Sequence, residues 1–68
     1  MDKLEQAHKI LNTKVDKLEL SLGFETNRET IHEGRNLFRF ECMFSDDNNN
    51  TTTKRFEISI GNESIIEL

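Results

Sequence analysis

The sequence predicts an α+β chain: a coiled-coil helix over residues 1–22 feeding a small antiparallel sheet of three to four strands over 23–68. Two periodicities and one glycine carry that prediction. Met1, Leu4, His8, Leu11, Val15, Leu18 and Leu22 fall on a and d positions of a heptad, apolar except for His8. After Gly23 the period changes to two, and Phe38, Phe40, Cys42 and Phe44 alternate onto one face of a strand. A chain of 68 residues holds one domain at most, and its β-rich part is near the lower limit for folding alone.

The helix is expected from about Asp2 to Leu22, about 30 Å at 1.5 Å per residue. Asp2 suits the positive end of the helix dipole, and Glu5 with Lys9 forms a favourable i,i+4 pair. Gly23 follows Leu22 as a C-terminal cap, where a left-handed residue closes the last carbonyls. Three heptads are marginal in water, so the seam calls for a partner helix or a longer rod. Met1 inside the heptad register reads as a start cut within such a rod. Ala7, Ile10 and Leu20 widen the apolar stripe, which leaves open a helix folded back on the sheet. His8, polar at an a position, is read as solvated near a frayed end.

The β-rich part opens with a strand near Phe24–Arg28, then a polar link holding His32, Glu33 and Gly34. The main strand is Asn36–Ser45, with a mixed second face of Leu37, Arg39, Glu41 and Met43. Residues 45–53 read SDDNNNTTT and are expected to be a mobile connection. Lys54–Ile60 alternates again, with Phe56, Ile58 and Ile60 inward. Gly61-Asn62 marks a turn, and Ser64–Leu68 reads as a fourth short strand. A projecting stem would leave one sheet face uncovered, so a further element after Leu68, or a partner chain, is expected to cover it.

The net charge is -4, and all the excess acid lies in residues 23–68, where five basic residues face nine carboxylates. This argues against nucleic acid, whose binding needs clustered Lys and Arg. The first residues are charged and lack an apolar core region, so a signal peptide is not expected, and no stretch of this sequence reaches membrane-spanning length. Cys42 is the only cysteine, which fits a reducing compartment and a place in the core. His8 and His32 stand on different elements, without metal-ligand spacing to a cysteine or carboxylate pair. The Asp46–Asn50 run lacks the ligand spacing, central glycine and closing glutamate of a calcium loop. The five phenylalanines are read as core, since no Arg or Lys shares their face as in a base-stacking platform. Catalysis, cofactors and metals are therefore not expected.

The order of Leu22-Gly23, Phe24-Glu25, Leu37-Phe38-Arg39-Phe40 and Lys54-Arg55-Phe56-Glu57-Ile58-Ser59-Ile60 resembles the kinetochore proteins of the spindle pole component 25 type. That family belongs to a four-subunit rod complex linking chromosomes to spindle microtubules. The resemblance implies an RWD-like fold, with a helical stem, an antiparallel sheet and a C-terminal helix beyond Leu68. It implies a non-enzymatic role in chromosome segregation, in the nucleus, at the kinetochore. The implied partners are a sister subunit of the spindle pole component 24 type and inner-kinetochore proteins. The candidate partner interface is Leu4, His8, Leu11, Val15, Leu18 and Leu22 on the stem, with Phe38, Phe40, Phe44 and Phe56 on the sheet. The alternative is a homodimeric coiled-coil adaptor or regulatory domain with a small α+β head.

Overall fold

The structure, a computed structural model, describes residues 2–68; the heptad position and start assigned to Met1 lie outside them. A single helix, α1 (Lys3–Leu22), precedes four strands: β1 (Phe24–Glu33), β2 (Leu37–Ser45), β3 (Thr51–Ser59) and β4 (Ser64–Glu67). The strands form one antiparallel meander in the order β1-β2-β3-β4.

The carboxylate of Asp2 caps α1 by accepting from the Leu4 amide at 3.1 Å. At the other end Gly23 has a positive φ of 95°, with ψ of -161°. This is not the left-handed helical cap the sequence suggests but an extended, positive-φ conformation that is almost exclusive to glycine. The need for glycine is also steric. A Cβ here would collide with the Ser45 carbonyl oxygen at the end of β2. This one-residue junction reverses the chain, and the Glu19 carboxylate secures it by accepting from the Glu25 amide at 2.9 Å.

That reversal lays α1 across the sheet, so it is not a projecting stem. Ala7, Leu11 and Val15 are buried against Phe38, Phe40, Cys42, Phe44, Phe56 and Ile58. Leu4, Ile10, Leu18, Leu22, Ile60 and Ile65 pack around them, partly buried. The folded-back helix, the option opened by Ala7 and Ile10, is the arrangement found. Its physical reason is the sheet face. Four phenylalanines and an isoleucine left in water would each forgo about 1.5–3 kcal/mol of burial. Docking within one chain also avoids the translational and rotational cost of association. The cover expected from a later element or another chain is α1 itself.

Two strand boundaries differ by several residues from expectation. β1 runs to Glu33, five residues longer, although its burial pattern shows almost no covered face. It is an edge strand held by pairing to β2, with register shifts between Glu25 and Asn27 and between Thr30 and His32. Bulges of that kind break the alternation a sequence reading looks for. β3 begins at Thr51, which shortens the polar loop to residues 46–50. That loop is tied, not a loose connection: the Asp46 carboxylate accepts from the Asn48 and Asn50 amides and the Asn50 side chain. These hydrogen bonds to the charged form hold the Asp46 carboxyl below its usual range, the Asn50 amide contributing most. Phe24 is also misread as core: it is 74% exposed at the start of β1.

The core makes a direct prediction. Leu11→Ala is expected to destabilise the chain by about 2–5 kcal/mol, whereas Leu20→Ala, on the exposed face, should cost under about 0.5 kcal/mol. Urea denaturation followed by circular dichroism reads the difference, and equal effects would contradict the docked helix.

Candidate functional site

Two surfaces of the molecule hold chemistry beyond core packing: a polar cluster where α1 crosses β1, and the outer face of the sheet. Pairing places Glu25 opposite Phe44 and Arg28 opposite Cys42, so both side chains point toward α1. Arg28 Nε and Nη2 donate to the two carboxylate oxygens of Glu25 at 2.7 and 2.9 Å. Arg28 Nη1 lies 3.0 Å from His8 Nδ1. A guanidinium only donates, so His8 Nδ1 accepts and the imidazole is neutral there. The other side of the imidazole meets the Phe40 ring, with centroids 4.8 Å apart.

His8 is therefore not the solvated residue the sequence suggests. Burial lowers its pKa first, the Arg28 charge lowers it further, and Glu25 opposes both. Cys42 is beside this cluster and fully buried. Burial, then the hydrogen bond and charge of Glu25, push its thiol up to about 12. A thiol held protonated is a poor nucleophile, so the cluster seals and orients the helix and does not activate sulfur.

The ten residues proposed from the sequence as a partner interface come together around one core, but within the chain. Leu11, Val15, Phe38, Phe40, Phe44 and Phe56 are at most 3% exposed, so they cannot meet a partner in this conformation. Leu4, Leu18 and Leu22 border the core, and His8 is held by Arg28. Sequence reasoning misses Glu25 and Arg28, because β1 carries no apolar alternation to show which residues turn inward.

The outer face of the sheet is the larger open surface. Its centre is a cross-strand charge ladder: Arg39 opposite Glu57 and Glu41 opposite Arg55, with guanidinium-to-carboxylate distances of 2.9 Å. Such exposed pairs contribute about 0.2–1 kcal/mol each, enough to favour this register. Around the ladder Ile31, Leu37, Ile66 and Leu68 are between 37% and 59% exposed. Ile31 and Leu68 flank Arg39, Glu41 and Arg55 across a shallow depression of about 420 Å³. A second depression of about 470 Å³ lies between Gln6 and Ile10 of α1 and residues 60–63 of the β3–β4 turn.

Among the described residues, no group of three or more His, Cys, Asp or Glu is placed to hold a metal ion. No described helix is long and apolar enough to cross a membrane. Comparison of the chain with family profiles, with curated proteins and with solved structures finds no match.

The His8 contact predicts a pH dependence with a definite sign. Because folding favours the neutral imidazole, stability is full above pH 6.5, the unperturbed value, and falls as the unfolded chain takes up a proton below it. The melting temperature should drop from pH 7.5 toward pH 5.5, above the ordinary carboxylate range near ~4. His8→Phe, which keeps a ring against Phe40, should flatten that slope. Superimposable slopes for the two proteins would rule the contact out.

Proposed function

We propose that this chain is a non-enzymatic protein-binding subunit of the spindle pole component 25 type. It pairs with a sister subunit of the spindle pole component 24 type, and the pair docks a microtubule-binding rod complex onto inner-kinetochore proteins during chromosome segregation. The observation that carries the protein-binding role is the outer sheet face. Four large apolar side chains stay in water around a fixed charge ladder. Apolar anchors with ordered charges at their centre suit recognition of another protein, because the anchors supply burial and the charges supply register. The groups best placed for chemistry are otherwise engaged: His8 is bonded to Arg28, and the Cys42 thiol is buried and protonated.

The kinetochore assignment rests on the sequence resemblance and is supported by the order of elements. A helix ends at Leu22-Gly23, and an antiparallel sheet follows with Phe38, Phe40, Phe56 and Ile58 on its covered face. In this reading the sister subunit meets the outer face of the sheet, since the seam of α1 is occupied by the chain's own core. The head works at the kinetochore, in the nucleus, and no cofactor enters its role.

Co-expression with a sister subunit of this type tests the proposal. Both chains should co-purify as a complex. Ile31→Asp combined with Leu68→Asp, both exposed positions, should weaken binding by about tenfold or more (about 1.4 kcal/mol) without lowering the melting temperature. Failure of the unaltered chain to co-purify removes the kinetochore assignment. Binding indifferent to both substitutions removes the outer face as the contact.

A further inference from the structure

The charges on the outer face of the sheet do not balance, and the excess has one place. Cross-strand pairing sets Glu29, Glu41 and Arg55 in one row, which Leu68 completes through its amide, a donor to the Arg55 carbonyl at 2.8 Å. His32, Arg39, Glu57 and Ile66 form the next row. These side chains turn outward, because Phe38, Phe40, Cys42, Phe56 and Ile58 take the alternate positions toward α1.

Arg55 is paired with Glu41 and Arg39 with Glu57, which leaves Glu29 over. Its carboxylate has no ion pair or hydrogen bond among the described residues. It stands directly opposite Glu41. Side chains in that relation have Cβ atoms about 4.5–5.5 Å apart, and like charges there are destabilising. Arg55 does not relieve the conflict: it reaches Glu41 through Nε at 2.9 Å from β3, on the side away from Glu29. The fold gains nothing from a carboxylate at position 29. That carboxylate is exposed beside Glu41 and two residues from Ile31, both of which line the Ile31–Leu68 depression.

We infer that the outer face receives an amphipathic helix of a partner protein. A lysine or arginine of that helix lies between Glu29 and Glu41, and a bulky apolar side chain about one turn away fills the depression. The inference deepens the protein-binding reading of this face and rests on it, but not on the kinetochore assignment. Charge selects a basic occupant, because a cation over Glu29 turns the repulsive pair into two charge-assisted contacts. A second copy of the chain is a poor occupant, since its outer face carries the same surplus carboxylate. Backbone chemistry selects a helix. The partner lands on a face of the sheet, where strand amides and carbonyls are already paired, so its own backbone groups must satisfy one another. Side chains at i and i+4 of a helix have Cβ atoms about 5–6 Å apart, close to the ~4.8 Å between strands. One turn therefore spans the step from the floor of the depression on β2 and β3 to Glu29 on β1.

Two helical peptides of about 16 residues, ~24 Å long, test this. Both carry the same stripe of leucines, flanked by lysines in one and by glutamates in the other. In amide chemical-shift titrations of the folded chain, the lysine peptide should bind at least about tenfold more tightly than the glutamate peptide. Its shifts should centre on Glu29, Ile31, Glu41, Arg55 and Leu68. Glu29→Lys should abolish the preference, with a melting temperature equal to or above that of the unaltered chain, since the like-charge pair is gone. Asp47→Lys makes the same change of charge on the exposed 46–50 loop and should leave the preference in place. Equal binding of the two peptides, binding of neither, or a preference that Asp47→Lys removes as fully as Glu29→Lys overturns the inference. Ile31→Asp with Leu68→Asp separates it from the reading beneath it. If those substitutions release a peptide or the sister subunit and Glu29→Lys does not, the outer face binds protein without the basic contact, and only this inference falls.

Discussion

Everything in this molecule depends on the apolar contact between one stripe of α1 and one face of the sheet. Ala7, Leu11 and Val15 stand at i, i+4 and i+8, and they close over Phe38, Phe40, Phe44 and Phe56. The small side chain of Ala7 lets the helix come close, and the phenylalanines fill the space on either side of it. Remove that contact and both elements fail together, since a short helix is marginal in water and a sheet of this size needs its face covered. The Gly23 junction makes the contact possible. Its positive φ turns the chain through a gap that any Cβ would block.

Polar interactions refine what the apolar contact establishes. Arg28 bridges Glu25 on its own strand to His8 on the helix, so the side of the core nearest the exposed edge is closed by hydrogen bonds, not by hydrocarbon. This arrangement tolerates the polar sequence of β1 while pairing the two charges that it turns inward, Glu25 and Arg28. On the far side of the sheet the Arg39–Glu57 and Glu41–Arg55 pairs fix strand register without burying anything. The two faces of the sheet differ in kind: one makes the fold, and the other carries paired charges and exposed apolar side chains.

Much of the architecture is legible in the residues. The alternation at Phe38–Phe44 and Phe56–Ile58 locates β2 and β3 and names their inward side, because an apolar residue on every second position has one economical burial. The heptad-like spacing from Leu4 to Leu22 locates the helix and its stripe, and Asp2 and Gly23 mark its two ends. The candidate site is less legible. Nine of the ten interface residues assigned from periodicity turn out to share one core, with His8 bonded to Arg28 at its edge, while Glu25, Arg28, Ile31 and Leu68 carry no pattern that would single them out. Their positions follow from bulges in β1 and from pairing across the sheet, which are long-range properties.

The sequence by itself determined the element types, the inward face of the central strands and the absence of any internal disulfide. Periodicity encodes those directly, since side-chain direction repeats every 3.6 residues in a helix and every two in a strand. Only the tertiary structure decided what the helical stripe covers. A seam of leucines serves a partner helix or the chain's own sheet equally well. The choice between them depends on the geometry of a single glycine and on the sheet face it brings within reach. Those residues lie far apart in the chain, and no local pattern records that they meet.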